Sequence, residues 1–136
     1  MNKTVRSFAL LLVFALALTG LSLAQDDTYR VHANILFDFY AGDVHIPAGD
    51  YVFNTSYGSH AVTLRNHDTG QTYTVLAVPA DGDGLTSAVV EFDVVGDRHL
   101  LAALRTAGAG VEFHESSSLL ASAPRRGSIA IVASLR

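Results

Sequence analysis

The sequence predicts an all-β protein, a single antiparallel β-sandwich or partly closed barrel of about eight or nine short strands in a mainly meander order. Three observations lead there. Apolar and polar residues alternate with period two in segment after segment, the pattern of strands with one face in the core and one in water. Turn residues separate those segments at short, regular intervals. No internal repeat of fixed period and no low-complexity tract competes with that reading.

The chain opens with a different kind of segment. Lys3 and Arg6 are positive, Phe8 to Leu18 is an apolar run of eleven residues, Gly20 breaks any helix, and Ser22 and Ala24 put small residues at −3 and −1 before Gln25. That is the three-part pattern of a cleavable secretory signal, so residues 1–24 are expected to be removed after Ala24, leaving 25–136 as one β domain. An uncleaved anchor needs about 20 apolar residues, and Thr19, Gly20 and Ser22 interrupt the run. A lipid anchor at the cleavage site needs a cysteine, and the chain has none.

The clearest alternation is Arg30 to Phe39. Val31, Ala33, Ile35, Phe37 and Phe39 share one face, Arg30, His32, Asn34 and Asp38 the other, and Leu36 breaks the pattern. Ala41-Gly42-Asp43 is a turn, Val44 to Ile46 a short strand, and Pro47-Ala48-Gly49-Asp50 a second turn. Tyr51, Phe53, Thr55 and Tyr57 then share a strand face. Gly58-Ser59-His60 turns into a strand over Ala61 to Asn66, and His67-Asp68-Thr69-Gly70 is a hairpin loop. Thr72 to Val78 becomes apolar on both faces and is expected to be a central strand.

Residues 79 to 86 (PADGDGLT) form the longest polar loop. Ala88 to Val95 alternates, and Gly96-Asp97 is a tight hairpin turn. Arg98 to Thr106 (RHLLAALRT) has helix-favouring leucine and alanine, but it is short and follows a hairpin turn, so it is assigned as strand. Ala107 to Gly110 is a loop before a strand at Val111 to His114. Glu115 to Ala123 is expected to be a short helix or a loop, closed by Pro124-Arg125-Arg126-Gly127. Ile129, Ile131, Ala133 and Leu135 mark a last alternating strand.

Charge and composition exclude several function classes. With residues 1–24 removed, seven arginines face all thirteen acids, and the net charge falls from −4 to −6. An acidic chain with no basic run is a poor partner for nucleic acid or anionic lipid. The absence of cysteine leaves the hydrophobic core to hold the fold without disulfides. It also excludes thiol catalysis and Cys-based metal centres.

Six histidines make a metal site worth testing. Ligands on a strand must sit at i and i+2 to share a face, and Asp43-x-His45 and Glu112-x-His114 meet that condition. No H-x-H or H-E-x-x-H occurs, so these four residues are weak metal candidates beside the expectation of solvated histidines. Asp81-Gly82-Asp83-Gly84 has the look of a calcium loop but lacks the bidentate acid such a loop needs. Ser116-Ser117-Ser118 follows His114 and Glu115 without a nucleophile motif. No catalytic residue and no cofactor is therefore expected. The aromatic residues Phe37, Phe39, Tyr51, Phe53, Tyr73, Phe92 and Phe113 are expected to pack the core, or alternatively to line a cavity for an apolar ligand.

Two stretches carry a resemblance, Tyr29 to Asp43 (YRVHANILFDFYAGD) with Ile46 to Phe53 (IPAGDYVF), and Leu64 to Gly70 (LRNHDTG). Together with Phe92 to Leu101 they resemble a group of small exported bacterial proteins that carry a signal peptide, an I-P-F-x-F-x-V-G-D strand, an L-P-A-G-x-Y turn and an L-R-N-x-D-T-G element. The chain departs from that group at Leu36, where the group has Pro, and over Glu115 to Ala123. The resemblance implies an exported β domain and brings no activity or site residue with it. The resulting expectation is a periplasmic or secreted, non-enzymatic module that binds an envelope or extracellular protein through its surface, with no membrane span once the signal is gone. The alternatives are a small apolar-ligand carrier and a histidine-based metal binder.

Overall fold

The computed structural model describes residues 28–82, 84 and 86–135, so the leader, its cleavage site and Asp83 lie outside the described residues. Ten strands and one helix follow in order: β1 (Thr28–Ile35), β2 (Phe39–Ala41), β3 (Val44–Ile46), β4 (Gly49–Ser56), β5 (Ala61–Asn66), β6 (Thr72–Ala80), β7 (Ala88–Val95), β8 (Arg98–Arg105), β9 (Gly110–Phe113), α1 (Ser117–Ser122) and β10 (Arg125–Leu135). Eight of the strands close an antiparallel barrel in the order β1-β4-β5-β6-β9-β8-β7-β10 and back to β1. The β2–β3 hairpin is additional and joins β8 through a single parallel pairing, Tyr40 with Leu100.

The architecture is thus a barrel and not a sandwich. The reason lies in β10, which registers with β7 from Arg125 to Ala133 and then with β1 at Ser134 and Leu135. One strand that serves both halves joins their edges, so the sheet closes on itself instead of splitting into two layers. The meander order also holds only in part. β4-β5-β6 and β7-β8-β9 are each sequential, but the chain crosses over two strands between β6 and β7, and again between β9 and β10, where α1 lies.

Alternation decides the burial. Val31, Ala33 and Ile35 of β1, Tyr51 and Phe53 of β4, Val62 and Leu64 of β5, Val75 and Ala77 of β6, Val90 and Phe92 of β7, Leu101 and Leu104 of β8 and Val111 and Phe113 of β9 fill the interior. The rings pack edge to face, with Phe92 5.1 Å from Phe37 and 5.3 Å from Phe39, and Phe39 5.8 Å from Tyr51. Such pairs stabilise a core beyond the area they bury. The long run from Arg30 to Phe39 breaks at Leu36, which is 82% exposed. β1 ends before it, and Phe37 folds over the barrel end to stack on His99 at 4.1 Å.

Several expectations need correction at the level of single strands. Gly49 and Asp50 open β4, Pro79 and Ala80 end β6, Gly110 opens β9 and Arg125 to Gly127 open β10, where turn or loop is expected, because these segments pair with neighbouring strands. β6 is not buried on both faces, because Leu76 is 72% and Val78 57% exposed on the outer wall. Tyr57 lies past the end of β4 and is also exposed. The ambiguous segment is strand β8, and its outward Leu100 is covered, which accounts for its richness in leucine.

The turn motifs at one end of the barrel form a single knot. Asn66 Oδ1 accepts from the backbone N–H of Asp68 and of Thr69, both at 2.9 Å, and Gly70 takes φ +72° to complete the loop. The Tyr51 hydroxyl donates to the Pro47 carbonyl at 2.8 Å, and His67 N–H donates to Asp50 O at 2.8 Å. A Cβ on Gly49 would lie 2.8 Å from Asn66 Nδ2 and 3.3 Å from the Tyr51 ring. The residues that carried the resemblance are therefore turn and packing residues.

Candidate functional site

Side chains at alternate positions on β7, β8 and β9 point away from the core and build one patch of outer wall. The ladders place Glu91, Ala103 and Glu112 in a transverse row. Arg105, two residues after Ala103, lies on the same face. Its Nε is 3.2 Å from Glu91 Oε2, and its Nη2 is 3.5 Å from Glu112 Oε1. The hydrogen bond from Arg105 to Glu91 is the main influence raising the guanidinium pKa above its ordinary value. Partial burial opposes it, and the charges of Glu91 and Glu112 add to it.

The floor of this patch is low because Ala102 and Ala103 carry only methyl groups, and an irregularity in the β7–β8 register falls beside them. The connection from β9 to β10 forms the rim, contributing His114, Glu115 and Leu120. The result is a groove of about 520 Å³ lined by those residues together with Glu91, Asp93, Arg105, Glu112 and Phe113. Four carboxylates face one guanidinium and one imidazole, so the groove is an anionic concavity within the usual size of a binding pocket. Among the described residues, no hydroxyl or thiol side chain lines it. Glu91 and Glu112 are both engaged by Arg105, which fixes them as charged walls.

The structure divides the four metal candidates. Glu112 and His114 both line the groove, while Asp43 lies in the tight β2–β3 turn. His45 on β3 is exposed, with its Nε2 3.4 Å from Asp38 Oδ2 and its ring 5.2 Å from that of Tyr40. Among the described residues no three His, Asp or Glu side chains converge in a way that could hold a metal ion. A second polar cluster lies on the outside of β1 and β4, where His32 Nε2 is 2.7 Å from Asp50 Oδ1 and the His32 and His67 rings are 6.2 Å apart.

Two other motifs have local structural work. Ser116 caps α1, its Oγ accepting from Leu119 N–H at 3.4 Å and lying 2.9 Å from Ser118 Oγ, and Ser122 donates to the Leu119 carbonyl. Gly82, two residues past the end of β6, presses on the backbone of residues 106–109, with a Cβ there falling 2.6 Å from Ala109 N and 2.7 Å from Thr106 O.

Glu91, Asp93 and Arg105 escape sequence reading. Each is visible as an outward position of its strand, but only the pairing of β7 with β8 and of β8 with β9 brings them together. Comparison with protein-family models, with curated proteins and with solved structures finds no match.

Proposed function

We propose that this chain is an exported, non-enzymatic binding module that acts through its outer wall, taking a basic side chain of an envelope or extracellular protein into the groove under the β9–β10 connection. The observation that carries this reading is a contrast. The barrel interior is occupied by the protein's own aromatic and aliphatic side chains, whereas the groove with an excess of acids opens on the outside. Export rests on the Lys3/Arg6, Phe8–Leu18 and Ser22–Ala24 pattern, and on the resemblance to small exported bacterial β proteins.

The test is a titration of the labelled protein with a short arginine- and lysine-bearing peptide, followed by amide chemical shifts. Shifts confined to Ala102, Ala103, Arg105, Glu112 and Leu120, weakening as salt is added, are expected. Absent shifts, or shifts scattered over the surface, refute the reading. An apolar-ligand carrier is the second reading, since an eight-stranded barrel is of the size that either packs side chains or holds one small ligand. Native mass spectrometry on protein purified from an envelope fraction separates the two. A co-purifying small molecule supports the carrier, and a bare chain beginning at Gln25 supports the surface module.

A further inference from the structure

Leu76 and Val78 stand exposed on the outer wall of β6, and the ladders set them beside the acidic groove. Val78 lies directly opposite Glu112 on β9, Glu112 opposite Ala103 on β8, and Ala103 opposite Glu91 on β7. One transverse row therefore runs from an apolar shoulder at Val78, past the Glu112 wall and over the alanine floor, to the second wall at Glu91. Leu76, two residues before Val78, shares its face and has Ala61 of β5 opposite it. An outward strand face normally carries polar residues, and an apolar patch rimmed by charge is a common mark of a contact surface.

We propose that the shoulder and the groove are one recognition surface, and that it takes an extended segment in which an apolar residue stands two positions from a lysine or arginine. This inference rests on the reading of the groove as a receptor for a basic side chain. Charge complementarity selects the occupant, since the groove has four carboxylates for one guanidinium and one imidazole. Glu112 is the wall nearest the shoulder, its side chain is 60% exposed, and its Oε1 lies 3.5 Å from Arg105 Nη2. Tight charge-assisted bonds are about 2.7–2.9 Å long, so Glu112 keeps capacity for a second cation. Spacing selects the register. Neighbouring strands are about 4.8 Å apart, and side chains on one side of an extended segment are about 6.7 Å apart. With its apolar side chain on Val78 and its backbone across the strands, such a segment places the next side chain between Glu112 and Ala103.

The experiment titrates the labelled protein, purified after expression of the full chain, with capped peptides. Ser-Leu-Ser-Arg-Ser is expected to bind about three- to tenfold tighter than Ser-Ser-Ser-Arg-Ser, from partial burial of the leucine, and to shift Leu76 and Val78 together with the groove residues. Ser-Leu-Arg-Ser-Ser and Leu-Ser-Ser-Ser-Arg, with the wrong spacing, are expected to lack that gain. Leu76→Thr/Val78→Thr keeps strand-favouring residues at outward positions. It is expected to keep the circular dichroism spectrum and the affinity for Ser-Ser-Ser-Arg-Ser, and to abolish the leucine advantage. Glu112→Gln is expected to weaken both peptides alike, by about two- to fivefold. Equal affinities with and without leucine, while both peptides shift the groove, overturn this inference and leave the receptor reading standing. So does a leucine advantage that survives the two threonines. An equal gain at the other spacings overturns the extended register. No binding by any of the peptides overturns both readings.

Discussion

Replacing Tyr51 by Phe separates two contributions of one hydroxyl group. Tyr51 is fully buried, and its hydroxyl donates to the Pro47 carbonyl at 2.8 Å. A neutral hydrogen bond contributes about 1 ± 0.5 kcal/mol net. Because Pro47 is exposed, water can take over its carbonyl in the variant, which places the loss at the lower end, about 0.5–1 kcal/mol at neutral pH, or roughly 2–5 °C in Tm. The second contribution appears only in alkali. Burial holds the Tyr51 pKa above its usual value of 10.0; a hydrogen bond with Asn66 opposes this, and Tyr73 and Asp38 add to it. Below pH 10 both folded and unfolded chains carry a neutral phenol, and the stability is fully present. Above it the unfolded chain ionises first and binds fewer protons, so stability falls as pH rises, by at most about 1.4 kcal/mol per pH unit for this group, until the folded pKa is passed. The variant lacks this liability. The assay is urea unfolding followed by circular dichroism at about pH 7 and about pH 10.5. The wild-type advantage is expected to shrink or reverse at the higher pH. An equal gap at both pH values refutes the argument from burial, and a neutral-pH loss above about 3 kcal/mol refutes the assignment of one solvated acceptor.

Three further outcomes follow from the packing. Phe92→Ala removes a ring in contact with Phe37 and Phe39 and should cost about 3–5 kcal/mol in chemical unfolding; a loss below about 1.5 kcal/mol would mean that the barrel end is looser than its ring contacts imply. Asn66→Ala leaves the N–H groups of Asp68 and Thr69 without their acceptor and is expected to lower stability by about 1–3 kcal/mol, with Asn66→Asp, which keeps the acceptor, less affected in the same melt. Gly82→Ala forces a methyl group against the backbone of residues 106–109. A drop of about 1–3 kcal/mol is expected, and an unchanged Tm would disprove that contact.

Local chemistry made the strands readable. Val44–Ile46 and Ala61–Asn66 begin and end where the alternation and its flanking turns put them, because a two-residue period leaves one face for the core and glycine sets the reversals. Leu36, the exception in its run, marks the break between β1 and β2. Local pattern carries no information on which strands are neighbours across the barrel. Nothing along the chain says that β6 pairs with β9, or that β10 changes partner after Ala133. The groove inherits that blindness: Glu112 and His114 were visible as a spaced pair, but their companions Glu91 and Arg105 become neighbours only through long-range ladders. The exposed face of β6 was hidden for a related reason, since Leu76 and Val78 are apolar by composition and outward by topology.

The position of β10 in the barrel also sets the order of events for a chain that emerges from the ribosome N-terminus first. β1, β4, β5 and β6 can assemble as they appear, and β7, β8 and β9 form a second local sheet. Their open edges at β7 and β1 can be joined only by residues 125–135. Until that segment is free, the nascent molecule is an uncurled sheet whose apolar face has no lid, and completion waits on the longest-range contacts in the chain. A molecule built this way closes its barrel only when its last described strand arrives.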